Sequence, residues 1–409
     1  MGEKDVFRIS GYMNLVRDYQ NNLAIPTPRK SKMPGPVVIW NLIRRCNLAC
    51  KHCYTSSGDA DYPNELTTEQ VFSVMQDMYD FGVRVLILSG GEPLLRPDIF
   101  DISKKAKQMG FYVGLSSNGT KINQQNIDKI EQIGFNYVGI SLDGLGKTHD
   151  AFRRKAGAFD EALNGIRLCL SRNIKVGVRY CLNQDTQNDF ARILDFVVQE
   201  KIDKFYLSHL NYSGRGYSFR KIDSLHKTTR SSILQLFEFA WSNPQVEVVT
   251  GNNDADAVFF LHWLEQKFPE LVPIIRPHLV GWGGNSTGVN IANIDNEGNV
   301  HPDSFWWSYN LGSVKERKFS EIWSDRTDPL IDAMRQSPRQ IKGSCSQCQN
   351  FDICNGNTRI RAYQLTKDFL QEDPGCYLTN SEIGVPSSFT RLVESLDIRY
   401  AKRGLENEV

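Results

Sequence analysis

Three cysteines fall within eight residues in Arg45-Cys46-Asn47-Leu48-Ala49-Cys50-Lys51-His52-Cys53-Tyr54, spaced C-x3-C-x2-C. Thiolates are soft ligands that suit iron–sulfur clusters and zinc. Three of them can hold three irons of a four-iron cubane, leaving one iron open to a cofactor or substrate. Zinc is the competing reading. A structural zinc takes four protein ligands, typically as two close cysteine pairs. Here only Cys50 and Cys53 form such a pair, with His52 as a possible fourth donor. Buried inert cysteines are common singly, but three in one loop do not fit that pattern.

A second group follows far downstream as Cys345-x2-Cys348-x5-Cys354-x21-Cys376. It supplies four thiolates, and taken alone it suits zinc and an iron–sulfur cluster equally. Cys169 and Cys181 fall inside an expected helix and strand and read as core.

The elements that must carry the first group are legible from periodicity. Val37–Trp40 is a short apolar run fit for a buried strand, and it ends at the cysteine loop. Thr67 can cap a helix to about Phe81, with Val71, Val74, Met75 and Met78 on one face. Strands are expected at 84–88, 112–115, 137–141, 175–180 and 204–207, and helices at 97–109, 123–132, 159–172 and 187–199. These six strand–helix alternations predict a parallel α/β sheet with right-handed crossovers. Its chemistry belongs on the loops after the strands. The cysteines follow the first strand, Gly90-Gly91-Glu92-Pro93 the second, Ser116-Ser117-Asn118-Gly119 the third and Asp143-Gly144 the fourth. Beyond about residue 210 the alternation is expected to stop. Asn290–Ile294 and Asn299–His301 flank Asp295-Asn296-Glu297-Gly298 and read as a β-hairpin.

Composition narrows the function classes. The 409 residues carry 48 basic and 47 acidic side chains, which gives no bulk electrostatic case for nucleic acid. No apolar run approaches the roughly 18 residues of a membrane span. Met1-Gly2-Glu3-Lys4-Asp5 lacks the apolar core of a secretory signal, so the expected address is the cytoplasm, with no membrane partner. Nine cysteines in two groups argue for metal binding rather than disulfides. Pro26, Pro28, Pro34 and Pro36, with Arg29, Lys30 and Lys32, make an exposed connector the expectation before the first strand.

The cysteine run resembles the signature of radical S-adenosylmethionine (SAM) enzymes, with His52 where that family has an aromatic residue. Gly90-Gly91-Glu92-Pro93 is similar to the family's second motif. The resemblance implies a partial (β/α)6 barrel with a small α+β C-terminal domain. It implies a [4Fe-4S] cluster on Cys46, Cys50 and Cys53 whose open iron binds SAM. It assigns SAM contacts to Gly90, Gly91, Glu92, Ser116, Asn118, Ser141, Asp143 and Arg154. It also implies reductive cleavage of SAM to a 5′-deoxyadenosyl radical, driven by a small electron donor such as flavodoxin or ferredoxin. Cys345, Cys348, Cys354 and Cys376 resemble part of a SPASM/Twitch extension. Asp303 and Thr358 stand where the full pattern has further cysteines. One auxiliary [4Fe-4S] cluster is therefore implied, acting as an electron acceptor. The implied divisions are 1–36 leader, 37–210 core, 211–285 connecting region, 286–385 auxiliary domain and 386–409 tail.

A narrower resemblance covers nearly all of residues 34–385. Phe205-Tyr206-Leu207-Ser208-His209-Leu210-Asn211-Tyr212, Thr250–Asp256 and Cys354–Ala362 are similar to the NirJ family of haem d1 biosynthesis. That family's reaction implies loss of propionate side chains from the iron tetrapyrrole 12,18-didecarboxysirohaem. Related alternatives are a sirohaem-route enzyme that removes acetate side chains and a peptide maturase. A carboxylated iron macrocycle calls for basic, aromatic and axial-ligand partners. His209, Arg215 and His301 are the substrate candidates chosen, from a wider set with Tyr212, Arg220, His262, Trp306 and Trp307.

Overall fold

Short apolar strands alternating with amphipathic helices dictate a parallel sheet covered by helices. The computed structural model describes residues 6–28 and 35–392. Its strands are β1 (Val37–Asn41), β2 (Val85–Ser89), β3 (Tyr112–Ser117), β4 (Tyr137–Ser141), β5 (Val176–Leu182), β6 (Lys204–His209), β7 (Glu247–Gly251), β8 (Ile291–Ile294), β9 (Asn299–His301) and β10 (Gly312–Ser313). They form one open sheet in the order β10-β9-β8-β1-β2-β3-β4-β5-β6-β7. All pairings from β8 through β7 are parallel, so their carboxyl-end loops gather at one rim. This is the expected partial barrel.

The alternation does not stop at residue 210. After an insertion, the helix His226–Ser242 leads to β7, which pairs parallel to β6 with Ser208 opposite Gly251. β7 buries only a short apolar run, Val248-Val249, and that run gave no strong strand signal. The expected hairpin forms, with Asn293 opposite His301. Its first strand also docks parallel on β1, with Val38 opposite Ala292. The C-terminal region thus extends the same sheet.

Side chains alternate across the sheet with period two. One face carries Val38, Trp40, Leu86, Leu88, Val113, Leu115, Val138, Ile140, Val178 and Leu207 into the main core under the helices. Thr67 starts the first of these helices with a reciprocal cap, donating from its backbone to Gln70 Oε1 at 2.9 Å and accepting from Gln70 N at 3.3 Å. The opposite face lines a central cavity with Ile39, Ile87, Tyr137, Arg179, Lys204 and Tyr206. Here large side chains lie across glycines of the neighbouring strands. A Cβ on Gly139 would come within 2.8 Å of Arg179 Nε, and one on Gly251 within 1.9 Å of the Tyr206 hydroxyl.

The segment before β1 also packs on the barrel. Phe7 exchanges two 2.9 Å backbone bonds with Thr250, and the helix Ile9–Gln20 buries Ile9, Met13 and Val16. The connector residues Arg29, Lys30, Lys32 and Pro34, and the tail beyond 392, lie outside the described residues. Downstream, Arg361 is almost wholly buried and fastens the C-terminal region to the barrel. It donates to both Asp373 carboxylate oxygens, at 3.0 and 2.7 Å, and to Asn252 O at 2.7 Å.

Candidate cluster and cofactor site

Cys46, Cys50 and Cys53 pack together with Leu48 and Ala158 at the rim of the sheet. A different donor reaches each sulfur. Asn118 Nδ2 points at Cys46 Sγ at 3.7 Å, and Arg153 Nη1 at Cys50 Sγ at 3.4 Å. Ser57 N donates to Cys53 Sγ at 3.4 Å. Burial pushes the Cys46 thiol up to about 12, and the Glu92 charge adds to the rise. As a free group it keeps its proton, and a metal would take the proton's place. Arg215 braces the loop from outside. Its Nε donates to Cys50 O and its Nη1 to Ser57 O, both at 2.7 Å.

The Gly90-Gly91 turn fits against the backbone of this loop. A Cβ on Gly91 would lie 2.3 Å from Arg45 O, and one on Gly90 would lie 2.4 Å from Ile43 O. The glycines are therefore required by the cysteine loop itself, and their other side lines the cavity. Glu92 is wholly buried behind the turn and is absent from the cavity lining. Its carboxylate accepts from Ser117 Oγ at 2.9 Å, Asn118 N at 2.8 Å and Leu94 N at 3.1 Å. Burial raises it to about 7 against those three donors. Glu92, expected as a cofactor contact, instead ties the β2 loop to the β3 loop behind the cavity, beside Asn118 whose Nδ2 points at Cys46.

Asp143 and Ser141, at the end of β4, both line the cavity. Asp143 accepts from Cys181 N at 2.6 Å and pairs with Arg153. Burial works against its charge, but the Arg153 guanidinium holds its carboxyl below the ordinary range. Arg154, another expected contact, stands off the cavity. The helix Lys147–Arg153 ends one residue earlier, and Arg154 turns away with φ 59° to lie over the Phe219 ring. Arg153 is the arginine at the cavity. Ser116 lines the cavity and accepts from Arg179 Nη1 at 2.6 Å. Asn118 also lines it, with its amide engaged by Cys46, Asn47 and Thr120.

The cavity has a volume of about 270 Å³ and contains the three thiols, Gly90, Gly91, Ser141, Asp143 and Arg153. Its charged lining is mainly basic, with Arg153, Arg179 and Lys204 against Asp143. Arg179 lies beside the Tyr137 and Tyr206 rings at 5.8 and 5.7 Å, forming an aromatic–cationic wall. Of the three substrate candidates, only His209 reaches this space. Arg215 is committed to the cysteine-loop carbonyls. His301 is buried with both ring nitrogens engaged, by Tyr309 O at 2.7 Å and Asp295 Oδ2 at 3.2 Å. Neither lines the cavity.

Cys345, Cys348, Cys354 and Cys376 converge within the C-terminal region. Cys348, Cys354 and Cys376 pack against a shared core, and the charges of the other three thiols each push Cys354 further up after burial has raised it. None of the four lines the cavity. Asp303 and Thr358 face away from any shared ligand role. Asp303 accepts from Thr287 Oγ1 at 2.5 Å and Phe305 N at 2.8 Å, while Thr358 Oγ1 donates to Asn252 O at 3.0 Å.

Both cysteine sets fit clusters in their donor chemistry. Among the described residues, no three His, Cys, Asp or Glu side chains are arranged to hold a single metal ion. A cubane asks for a wider spread, because each thiolate binds its own iron. Sequence reasoning missed Arg153, Arg179, Lys204 and Asp256. The first was one residue out of helical phase, Arg179 and Lys204 serve the site only through strand pairing, and Asp256, on the helix Ala255–Lys267, reaches it only through His209.

Comparison with known proteins agrees with this geometry. Residues 40–197 match the Radical SAM superfamily model. The chain is 47% identical to Pre-heme d1 synthase of Dinoroseobacter shibae over 95% of its length and 96% of that protein's. It is 38% identical to Fe-coproporphyrin III synthase of Methanosarcina barkeri, over 87% of this chain and 90% of that one. The crystal structure of Streptococcus suis SuiB bound to S-adenosylmethionine shares the fold, with TM-score 0.66, 16% identity, and coverage of 84% of this chain and 77% of that one. The chain belongs to the radical SAM superfamily and, within it, to the family of pre-haem d1 synthase.

Proposed function

We propose that this protein is a radical SAM enzyme of haem d1 biosynthesis that removes propionate side chains from 12,18-didecarboxysirohaem. The 47% identity to Pre-heme d1 synthase, running through both cysteine sets, carries this reading. Cys46, Cys50 and Cys53 would hold the SAM-binding [4Fe-4S] cluster. Gly90, Gly91, Ser116, Asn118, Ser141, Asp143 and Arg153 would surround SAM, with Glu92 supporting from behind. The bound cluster and SAM supply a 5′-deoxyadenosyl radical, which no protein side chain can provide. The protein's own work is to position the substrate and exclude water. Its basic wall suits carboxylates, and its tyrosines suit a flat macrocycle. Cys345, Cys348, Cys354 and Cys376 would hold one auxiliary cluster that accepts the electron released on carbon–carbon cleavage. A small donor such as flavodoxin or ferredoxin would supply the priming electron. A cavity of about 270 Å³ lies near the lower end of ligand sites, so a tetrapyrrole would need the cavity to widen.

The 38% identity to Fe-coproporphyrin III synthase favours a second reading, in which the same macrocycle loses acetate-derived groups instead. One anaerobic assay separates them. Reconstituted protein is mixed with SAM, a reductant and 12,18-didecarboxysirohaem, and the tetrapyrrole is read by mass. Propionate-sized losses with 5′-deoxyadenosine support the first reading. Acetate-sized losses move the protein to the second, and SAM cleavage with an unchanged macrocycle overturns both.

A further inference from the structure

We infer that His209 Nδ1 is the protein ligand to the iron of the tetrapyrrole substrate. The inference rests on the tetrapyrrole reading above and names the atom that would meet the metal. His209 ends β6 and lies at the boundary of two cavities, the central one and a smaller one of about 60 Å³. Its Nε2 is 2.9 Å from Asp256 Oδ2. Asp256 is wholly buried, and its other oxygen accepts from the Tyr377 hydroxyl at 2.6 Å. A carboxylate only accepts, so Nε2 carries a proton and Nδ1 is the nitrogen left to meet a metal. No protein group among the described residues bonds Nδ1. The Tyr377 ring lies nearly parallel to the imidazole, 18° from its plane, with the ring centroids 6.4 Å apart.

This is the arrangement that recurs behind metal-bound histidines. A carboxylate on the far nitrogen fixes the tautomer, aims the ring and makes the near nitrogen more basic. Here Asp256 is fixed in turn by the start of the helix Ala255–Lys267. His209 lines the cationic, aromatic-walled cavity, so a ligand held there can reach its ring. His52 also lines the cavity and leaves Nδ1 without a protein partner, but its Nε2 stands 4.0 Å from Asp143 Oδ2, beyond hydrogen-bond distance, so no carboxylate fixes its ring as Asp256 fixes that of His209; two other histidines differ more. His301 has both nitrogens bonded to protein, and His149 accepts a backbone N–H on Nδ1 with Nε2 buried.

The test is spectroscopic and needs no turnover. Ferric 12,18-didecarboxysirohaem is titrated into the reconstituted protein without SAM, and the macrocycle's absorption and EPR spectra are recorded. The wild-type protein should give a histidine-ligated spectrum. His209→Ala should lose it, with affinity falling about tenfold or more, and added imidazole should restore the ligated spectrum. Asp256→Asn should keep ligation but shift the spin state. The cysteine-bound iron absorption reports folding in each variant, and His209→Gln serves if the alanine variant lacks it. A bound macrocycle with the same spectrum in wild type and His209→Ala or His209→Gln overturns the ligation while leaving the tetrapyrrole reading in place. A wild-type protein that leaves the macrocycle's spectrum unchanged overturns both.

Discussion

The two cysteine sets offer the same donor in different surroundings. Cys46, Cys50 and Cys53 stand on one loop, and donors from that loop (Ser57) and from two other elements (Asn118, Arg153) meet their sulfurs. They open onto a cavity with glycine, serine and arginine around it. Cys345, Cys348, Cys354 and Cys376 come from irregular chain and short helical turns, and they open onto no part of that cavity. Three ligands beside a cavity leave a coordination site for chemistry. Four ligands away from it leave none, which suits electron storage. Ligand count and access to the cavity differ together between the two sets, and that difference supports the proposed division of roles more firmly than spacing does.

The largest expected effects break the comparison outright. Cys50→Ala should abolish 5′-deoxyadenosine formation with dithionite, because the open iron is lost with its cluster. Cys354→Ala should keep that cleavage, stop tetrapyrrole product formation, and lower the iron content from about eight to about four per chain. Normal SAM cleavage in Cys50→Ala, or an unchanged iron content in Cys354→Ala, would remove the division of labour.

Next comes the joint between the regions. Arg361 and Asp373 are almost wholly buried, and removing one partner leaves an uncompensated charge. Such losses typically cost about 3–5 kcal/mol. Arg361→Met should destabilise the fold by that order in urea unfolding and release iron from the second site before the first. Simultaneous loss from both sites would mean that the two regions unfold as one unit.

The first site has an internal control in adjacent arginines. Arg153 bonds Cys50 and Asp143, whereas Arg154 lies outside over Phe219. Arg153→Met should lower the rate of SAM cleavage about 100-fold, equivalent to about 2.7 kcal/mol. Arg154→Met should stay within about twofold. Equal effects would erase the correction that the helix end imposes.

These arginines also mark how far the sequence can be read. The cysteine triplet and the glycine turn were legible because each sits directly after an apolar strand, where local pattern and chemistry coincide. Arg153 was not, because the helix Lys147–Arg153 is short and starts at Gly146 with no side-chain cap to set its phase. β7 was missed because its buried apolar run is short and an insertion separates it from β6. The inner wall was missed for a different reason. Arg179 looks like a charge interrupting a strand until Gly139 of the neighbouring strand is seen to make room for it. His209 was named from its place at a strand end, but its partner Asp256 lies 47 residues away and only the fold joins them.

The smallest effect sharpens the contrast at the amino ends of the strands, where the cavity floor meets solvent. Glu247 gathers Arg8, Lys175 and Lys204, with contacts of 3.0 Å to Lys175 and 3.4 Å to Lys204. Burial alone would raise its carboxyl, yet Lys204, Arg8 and Lys175 bring it from an ordinary 4.5 down to about 2. A carboxyl depressed in the folded state releases its proton more readily there than in the unfolded chain. Its stabilisation is therefore complete above about pH 4.5 and drains away as the pH falls toward 2. Glu247→Gln should cost about 2–3 kcal/mol at pH 7, and the gap from wild type should narrow steadily below pH 4.5. Urea unfolding across that range is the measurement, with the Arg361→Met deficit as the reference. A gap that stays constant with pH would mean the Glu247 cluster contributes through packing of the long basic stems rather than through charge.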